Sequence, residues 1–162
     1  MTFTQKYTII SPVQPLQEGL TFNSDNWPLH VTLADTFAID AINDELLLQL
    51  RDISKGRAQV VKAEVAAWFG QAGEVEVMLL EASDELLQLH TGVVDLLLGK
   101  GAIFNDPQYI KSGFIGHVTQ QTSRRVKVGE SLALDSLALI DMFPVGDASR
   151  RRVMNVISFK EN

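Results

Sequence analysis

The chain contains no cysteine. It can therefore form no disulfide framework, no thiolate zinc site and no cysteine nucleophile, which removes several enzyme classes at once. Positive charge is also short, with 14 Lys and Arg against 20 Asp and Glu, a formal net charge of −6. Broad attachment to nucleic acid relies on many cations displacing counterions along the phosphates, so long DNA is not an expected partner. Long apolar runs are missing as well. A run such as Val93 to Leu98 is broken by Asp95 and falls far below the ~20 residues of a membrane-spanning helix. Met1 to Pro12 has neither the apolar stretch nor the small-residue cleavage site of a signal peptide. These absences set the expectation of a cytoplasmic monomer that does not associate with membranes.

What is present suits one folded unit. A length of 162 residues with 46% hydrophobic content allows one well-formed core and is short for two, so residues 1–162 are read as one domain.

Helix and strand periodicities alternate along the chain. Lys6 to Ile10 reads as a strand stopped by Pro12 and Pro15, and the polar stretch Asn23 to Asn26 reads as a loop. From Leu29 to Phe37, Leu29, Val31 and Leu33 alternate with His30, Thr32 and Ala34, the period of a half-buried strand. Leu46, Leu47, Leu50 and Ile53 then share one helix face, with Gly56 placed to end it. Ala58 to Phe69 and Val75 to Leu79 predict a hairpin across Gly70 to Gly73. Ser83 is placed to cap a second helix carrying Leu86, Leu87, His90, Val93, Val94, Leu97 and Leu98, stopped by Gly99 and Gly101. Ser112 to Thr122 predicts another strand, and Leu132 to Asp141 with Arg151 to Phe159 a terminal hairpin across Pro144 to Asp147.

One tripeptide occurs twice: His30, Val31, Thr32 and His117, Val118, Thr119. With 15 Val and 9 Thr in 162 residues, a given His is followed by Val-Thr by chance with probability about 0.005, and two of three histidines at roughly one in ten thousand. In a strand, residues two apart project from the same face, so each copy sets an imidazole beside a hydroxyl while its valine enters the core. If the two strands lie side by side, two imidazoles and two hydroxyls converge on one groove. A pair of imidazoles near neutrality divides into general base and general acid. Phosphodiester cleavage needs that division, with threonine hydroxyls donating to the non-bridging oxygens as charge builds there. The scheme requires no metal and no cofactor.

Paired His-x-Thr strands 87 residues apart, carried on Trp27-Pro28-Leu29-His30-Val31-Thr32-Leu33 and Phe114-Ile115-Gly116-His117-Val118-Thr119, resemble the two-histidine phosphoesterase superfamily, which includes the LigT-like RNA 2′,3′-cyclic phosphodiesterases and 2′-5′ RNA ligases. The resemblance implies an α+β fold that is bilobal and pseudo-twofold, with two antiparallel sheets flanking a central cleft and helices on the outside. It implies His30, Thr32, His117 and Thr119 as catalytic residues, and a nucleotide or short RNA end as substrate. Many relatives carry proline before the second histidine and an apolar residue after its threonine, where this chain has Gly116 and Gln120. The alternative is a binding module that keeps the cleft for recognition and turns over poorly.

Other residues carry weaker signals. Family geometry would put Arg124, Arg125 and Lys127 at the cleft mouth, where they could hold a substrate phosphate; a solvated loop is the plainer reading. Trp27, Phe37 and Tyr7 are the aromatics to consider for stacking on a base. Trp68 and Phe69 read as core plus edge, and Arg150, Arg151 and Arg152 as surface charges of the last hairpin. His90 lies on the apolar stripe of its helix, as a core or boundary residue.

Overall fold

The computed structural model describes residues 5–122 and 124–160. Its strands, in chain order, are β1 (Lys6–Pro12), β2 (Thr21–Asn23), β3 (His30–Ala38), β4 (Gln59–Phe69), β5 (Val75–Leu80), β6 (Ile103–Phe104), β7 (His117–Thr119), β8 (Ser131–Leu134), β9 (Ser136–Asp141) and β10 (Arg150–Ser158). Helix α1 (Asp44–Ser54) follows β3, and α2 (Asp84–Gly99) follows β5. Both helices start as the sequence dictates. The side chain of Asn43 accepts from the Leu46 N–H at 2.9 Å and Ser83 Oγ accepts from the Leu86 N–H at 3.1 Å, and each first turn holds two acidic residues. Each cap satisfies an amide that the helix itself leaves open.

The strands pair antiparallel in the order β2-β10-β9-β1-β3-β7-β5-β4-β8, with β6 added on β3. The α+β class and the antiparallel pairing agree with expectation, but the ladders do not divide into two sheets flanking a cleft. They run unbroken through the β3–β7 pair, and the sheet curls into a half-barrel. The curl has a covalent signature. Strands β8 and β9 lie at positions far apart in the sheet order, yet Asp135 alone separates them in the chain, so the far edge of the sheet must come round toward β9. The expected strand Leu132 to Asp141 is therefore two strands broken at Asp135, whose carbonyl accepts from the Phe159 N–H at 2.9 Å.

Alternation along the strands separates two apolar clusters. Val31, Leu33, Val118, Leu137 and Leu139 join Leu46, Leu50, Leu89, Val93 and Leu97 of the helices in the main core, and α2 packs on β3 and on α1. Ile10, Ala138, Ile140 and Val153 form a smaller cluster, against which Phe22 and Trp27 pack. In β1 the neighbours Ile9 and Ile10 fall in different clusters, so this part of the sheet is apolar on both faces.

The strand expected over Ser112 to Thr122 shrinks to His117–Thr119. Upstream, a short 3-10 turn at Lys111–Gly113 turns the chain so that the Phe114 ring stacks on His90, centroids 3.9 Å apart. A side-chain stack that no local pattern reveals outweighs the extended propensity there. The short strands β2 and β6 were not foreseen for a related reason: each takes its place by pairing with a distant partner, β10 or β3. No helix of the described residues is long and apolar enough to cross a membrane.

Candidate active site

Strands β3 and β7 pair through the middle residues of the two tripeptides, Val31 opposite Val118. Both valines are fully buried, and His30, Thr32, His117 and Thr119 on the other face are half-buried. An antiparallel pair has a local twofold axis normal to the sheet, so identical tripeptides paired on their centres generate a symmetric site. Residues facing across the pair sum to 31 + 118 = 149, which sets His30 opposite Thr119 and Thr32 opposite His117. The two histidines are thus diagonal neighbours, a relation that spaces Cβ atoms by roughly 7–8 Å in antiparallel sheets.

The flanking strands complete the floor. Pro12 and Ile10 of β1 stand beside His30 and Thr32, while Leu79 and Val77 of β5 stand beside His117 and Thr119. Four polar side chains therefore occupy the middle of an otherwise apolar strip.

The twofold relation extends to hydrogen bonding. His30 Nδ1 lies 2.7 Å from the Pro28 carbonyl and His117 Nδ1 lies 2.8 Å from the Ile115 carbonyl, each two residues back in the chain. A carbonyl only accepts, so in both rings Nδ1 carries the hydrogen and Nε2 is left to exchange a proton. Each ring also rests on an aromatic: Trp27 lies 5.1 Å from His30, and Phe69 meets His117 edge-on at 4.9 Å.

The surroundings of the two imidazoles differ. Burial lowers the pKa of His30 from 6.5 to about 4, with a further lowering from nearby His117, against the opposing effect of the Pro28 carbonyl. His30 is accordingly neutral across the physiological range. A cavity of about 380 Å³ opens on its side of the site, lined by Ser24, Asp25, Trp27, His30, Thr119, Gln120 and Gln121.

Of the weaker candidates, Trp27 reaches this cavity. Its indole N–H donates to the Ser24 carbonyl at 3.0 Å, Phe22 meets it edge-on, and the Arg151 guanidinium sits 5.8 Å from its centroid. Phe37 is fully buried, with Tyr7 tilted against it at 6.1 Å, so both belong to the core. Arg124 is bound by Glu130 at 2.5 Å and Arg125 by Glu76 at 2.6 Å, and neither lines the cavity beside His30. His90 bonds main chain through both nitrogens: Nδ1 donates to the Leu33 carbonyl at 2.6 Å and Nε2 accepts from the Lys111 N–H at 2.9 Å. It is a packing residue, as its place on the apolar stripe suggested.

Phe69, Asp25, Gln121 and Arg151 had no place in the site read from sequence. Gln120 had a signal, its departure from the usual apolar residue, and the structure supplies its use. Its amide accepts from the Val126 N–H and donates to the Val126 carbonyl, both at 2.8 Å, closing the loop after the second motif as a strand partner would. Gly116 also has a reason, since a Cβ there would lie 3.0 Å from Leu86 Cδ2.

No protein-family model and no curated protein matches the chain. Solved structures do match its fold. The crystal structure of a phosphoesterase aligns over 97% of this chain and 99% of its own at 14% identity, with a TM-score of 0.58. E. coli LigT, solved with NADP+, aligns over 99% and 100% at 14% identity and the same TM-score. The protein TT0787 of Thermus thermophilus aligns over 98% and 100% at 18% identity, with a TM-score of 0.51. The chain therefore has the fold of LigT, whose family its two His-Val-Thr tripeptides resemble.

Proposed function

We propose that the protein is a metal-independent phosphodiesterase acting on a nucleotide or RNA-end phosphodiester, either a 2′,3′-cyclic phosphate or a 2′-5′ linkage. The observation that carries this reading is the pairing of the two tripeptides on Val31 and Val118, which brings both imidazoles and both hydroxyls to one face. His30, neutral and with Nε2 free, suits the general base that takes the proton from the attacking water or ribose hydroxyl. His117 suits the acid that hands a proton to the leaving oxygen. Thr32 and Thr119 donate to the non-bridging phosphate oxygens, where negative charge accumulates. LigT has been solved with the nucleotides 3′-AMP and ATP and with phosphate, which supports a nucleotide substrate. A module that only bound such ligands would have no use for two proton-exchanging nitrogens, each held in the same tautomer.

The test is a panel of 2′,3′-cyclic mononucleotides and 2′-5′ dinucleotides assayed with EDTA present. Cleavage that survives chelation and is lost in both His30→Ala and His117→Ala is the expected result. Activity that needs an added divalent ion, or that both variants retain, overturns the reading.

A further inference from the structure

The cavity beside His30 differs in character from the catalytic strip it adjoins. Its wall combines an indole, Trp27, with a carboxylate, Asp25, and the hydroxyl and amide side chains of Ser24 and Gln121. Among the described residues no lysine or arginine lines it. Of the nearby arginines, Arg124 pairs with Glu130 and Arg125 with Glu76, and Arg151, 5.8 Å from the Trp27 ring, donates through Nη1 to the carbonyls of Met142, Ala148 and Arg150. A second phosphate would find no lysine or arginine in this lining and would meet the Asp25 charge.

The hydrogen-bonding capacity left in the wall is weighted toward acceptors. The Gln120 amide bonds Val126 through both its nitrogen and its oxygen, and Gln121 gives one N–H of Nε2 to the Thr119 carbonyl at 3.2 Å, leaving its Oε1 and a second N–H. The Asp25 carboxylate, exposed, has no hydrogen-bond or ion-pair partner among the described residues. A flat neutral group with adjacent N–H donors complements such a wall, since an ionised carboxylate accepts through two oxygens and cannot donate. Of the common bases only guanine presents two adjacent donors, its ring N–H and its amino group. Uracil offers one donor between two acceptors, which would face the carboxylate unfavourably.

We infer that this cavity holds the base of the nucleoside next to the scissile phosphate, and that Asp25 selects guanine by its donor edge. The inference rests on the phosphodiesterase reading for the position of the phosphate. Its test reads binding rather than turnover, so the two can fail separately.

Dissociation constants of guanosine and uridine 3′-monophosphates are measured by calorimetry on the native protein and on Asp25→Asn, a near-isosteric change at an exposed site. The native protein should bind the guanosine ligand on the order of tenfold more tightly, and Asp25→Asn should bring the two to within about twofold. Equal affinities in the native protein, or a preference that Asp25→Asn leaves intact, overturns the inference. A preference lost in Asp25→Asn, in a protein that cleaves no diester, would sustain the pocket and sink the catalytic reading. Cleavage without base preference would do the reverse.

Discussion

His30 stands across the β3–β7 pair from Thr119, not from His117. Each imidazole therefore shares a rung of the ladder with the other motif's hydroxyl, and a phosphate seated over the Val31–Val118 rung has a nitrogen and an oxygen on either side.

Replacing either histidine with alanine should lower kcat on the order of 10²- to 10⁴-fold. A pair that acts as a unit should lose, in the double variant, much less than the product of the two single losses. Thr32→Val or Thr119→Val removes a hydroxyl at nearly constant shape and should cost about 10- to 1,000-fold, the effect of losing a transition-state hydrogen bond. Steady-state kinetics on a substrate the native protein cleaves decide the matter. Threonine variants with native kcat would remove the hydroxyls from the mechanism.

The acid side of the pH profile should lie unusually low. His30 is held neutral down to about pH 4, so kcat/KM should persist well below 6.5 and fall only as pH approaches 4, although the observed limbs belong to the coupled pair. An acid limb at 6.5 would show His30 to be exposed in solution.

The same group links pH to stability. The folded pKa of His30 is below its unfolded value, so as pH falls the unfolded chain takes the proton first. Its neutral burial is without penalty above 6.5, and stability is lost as pH falls from there toward about 4, by at most roughly 3 kcal/mol. Denaturant melts of the native protein and His30→Gln across pH 7 to 4 should diverge in slope. Parallel curves would contradict the burial.

His90 should matter to folding and not to chemistry. His90→Ala leaves the Leu33 carbonyl and the Lys111 N–H without their partner and removes the stack on Phe114, a loss of about 2–4 kcal/mol. Chemical denaturation should show it, with kcat per folded molecule within a few-fold of native. A larger fall in kcat would mean that the turn leading into His117 depends on this ring.

Arg124 and Arg125 tie the loop after the second motif to Glu130 and Glu76, and that loop carries Gln121 into the cavity wall. Replacing both arginines with alanine should loosen that loop and raise KM severalfold. Gln120→Ala, which opens the same loop from its other anchor, should raise KM without removing any charge. Unchanged KM in the double arginine variant would return both residues to the solvated surface.

Which side chains of the two tripeptides share a face was legible in the sequence, because that information is local. A strand's period of two puts His and Thr on one face and Val on the other whatever the rest of the fold does, and Ser83 caps the second helix where the sequence placed it. The tertiary structure decided everything that depends on pairing over distance. It set the register of Val31 on Val118, joined the expected two sheets into one curled sheet, and broke the last long strand at Asp135. It also made two identical motifs unequal, since Trp27 covers His30 while Phe69 meets His117 edge-on. Sequence spacing determines which face a side chain takes along its own strand; which neighbours surround it, and so how its pKa shifts, depends on contacts between residues that the chain keeps far apart.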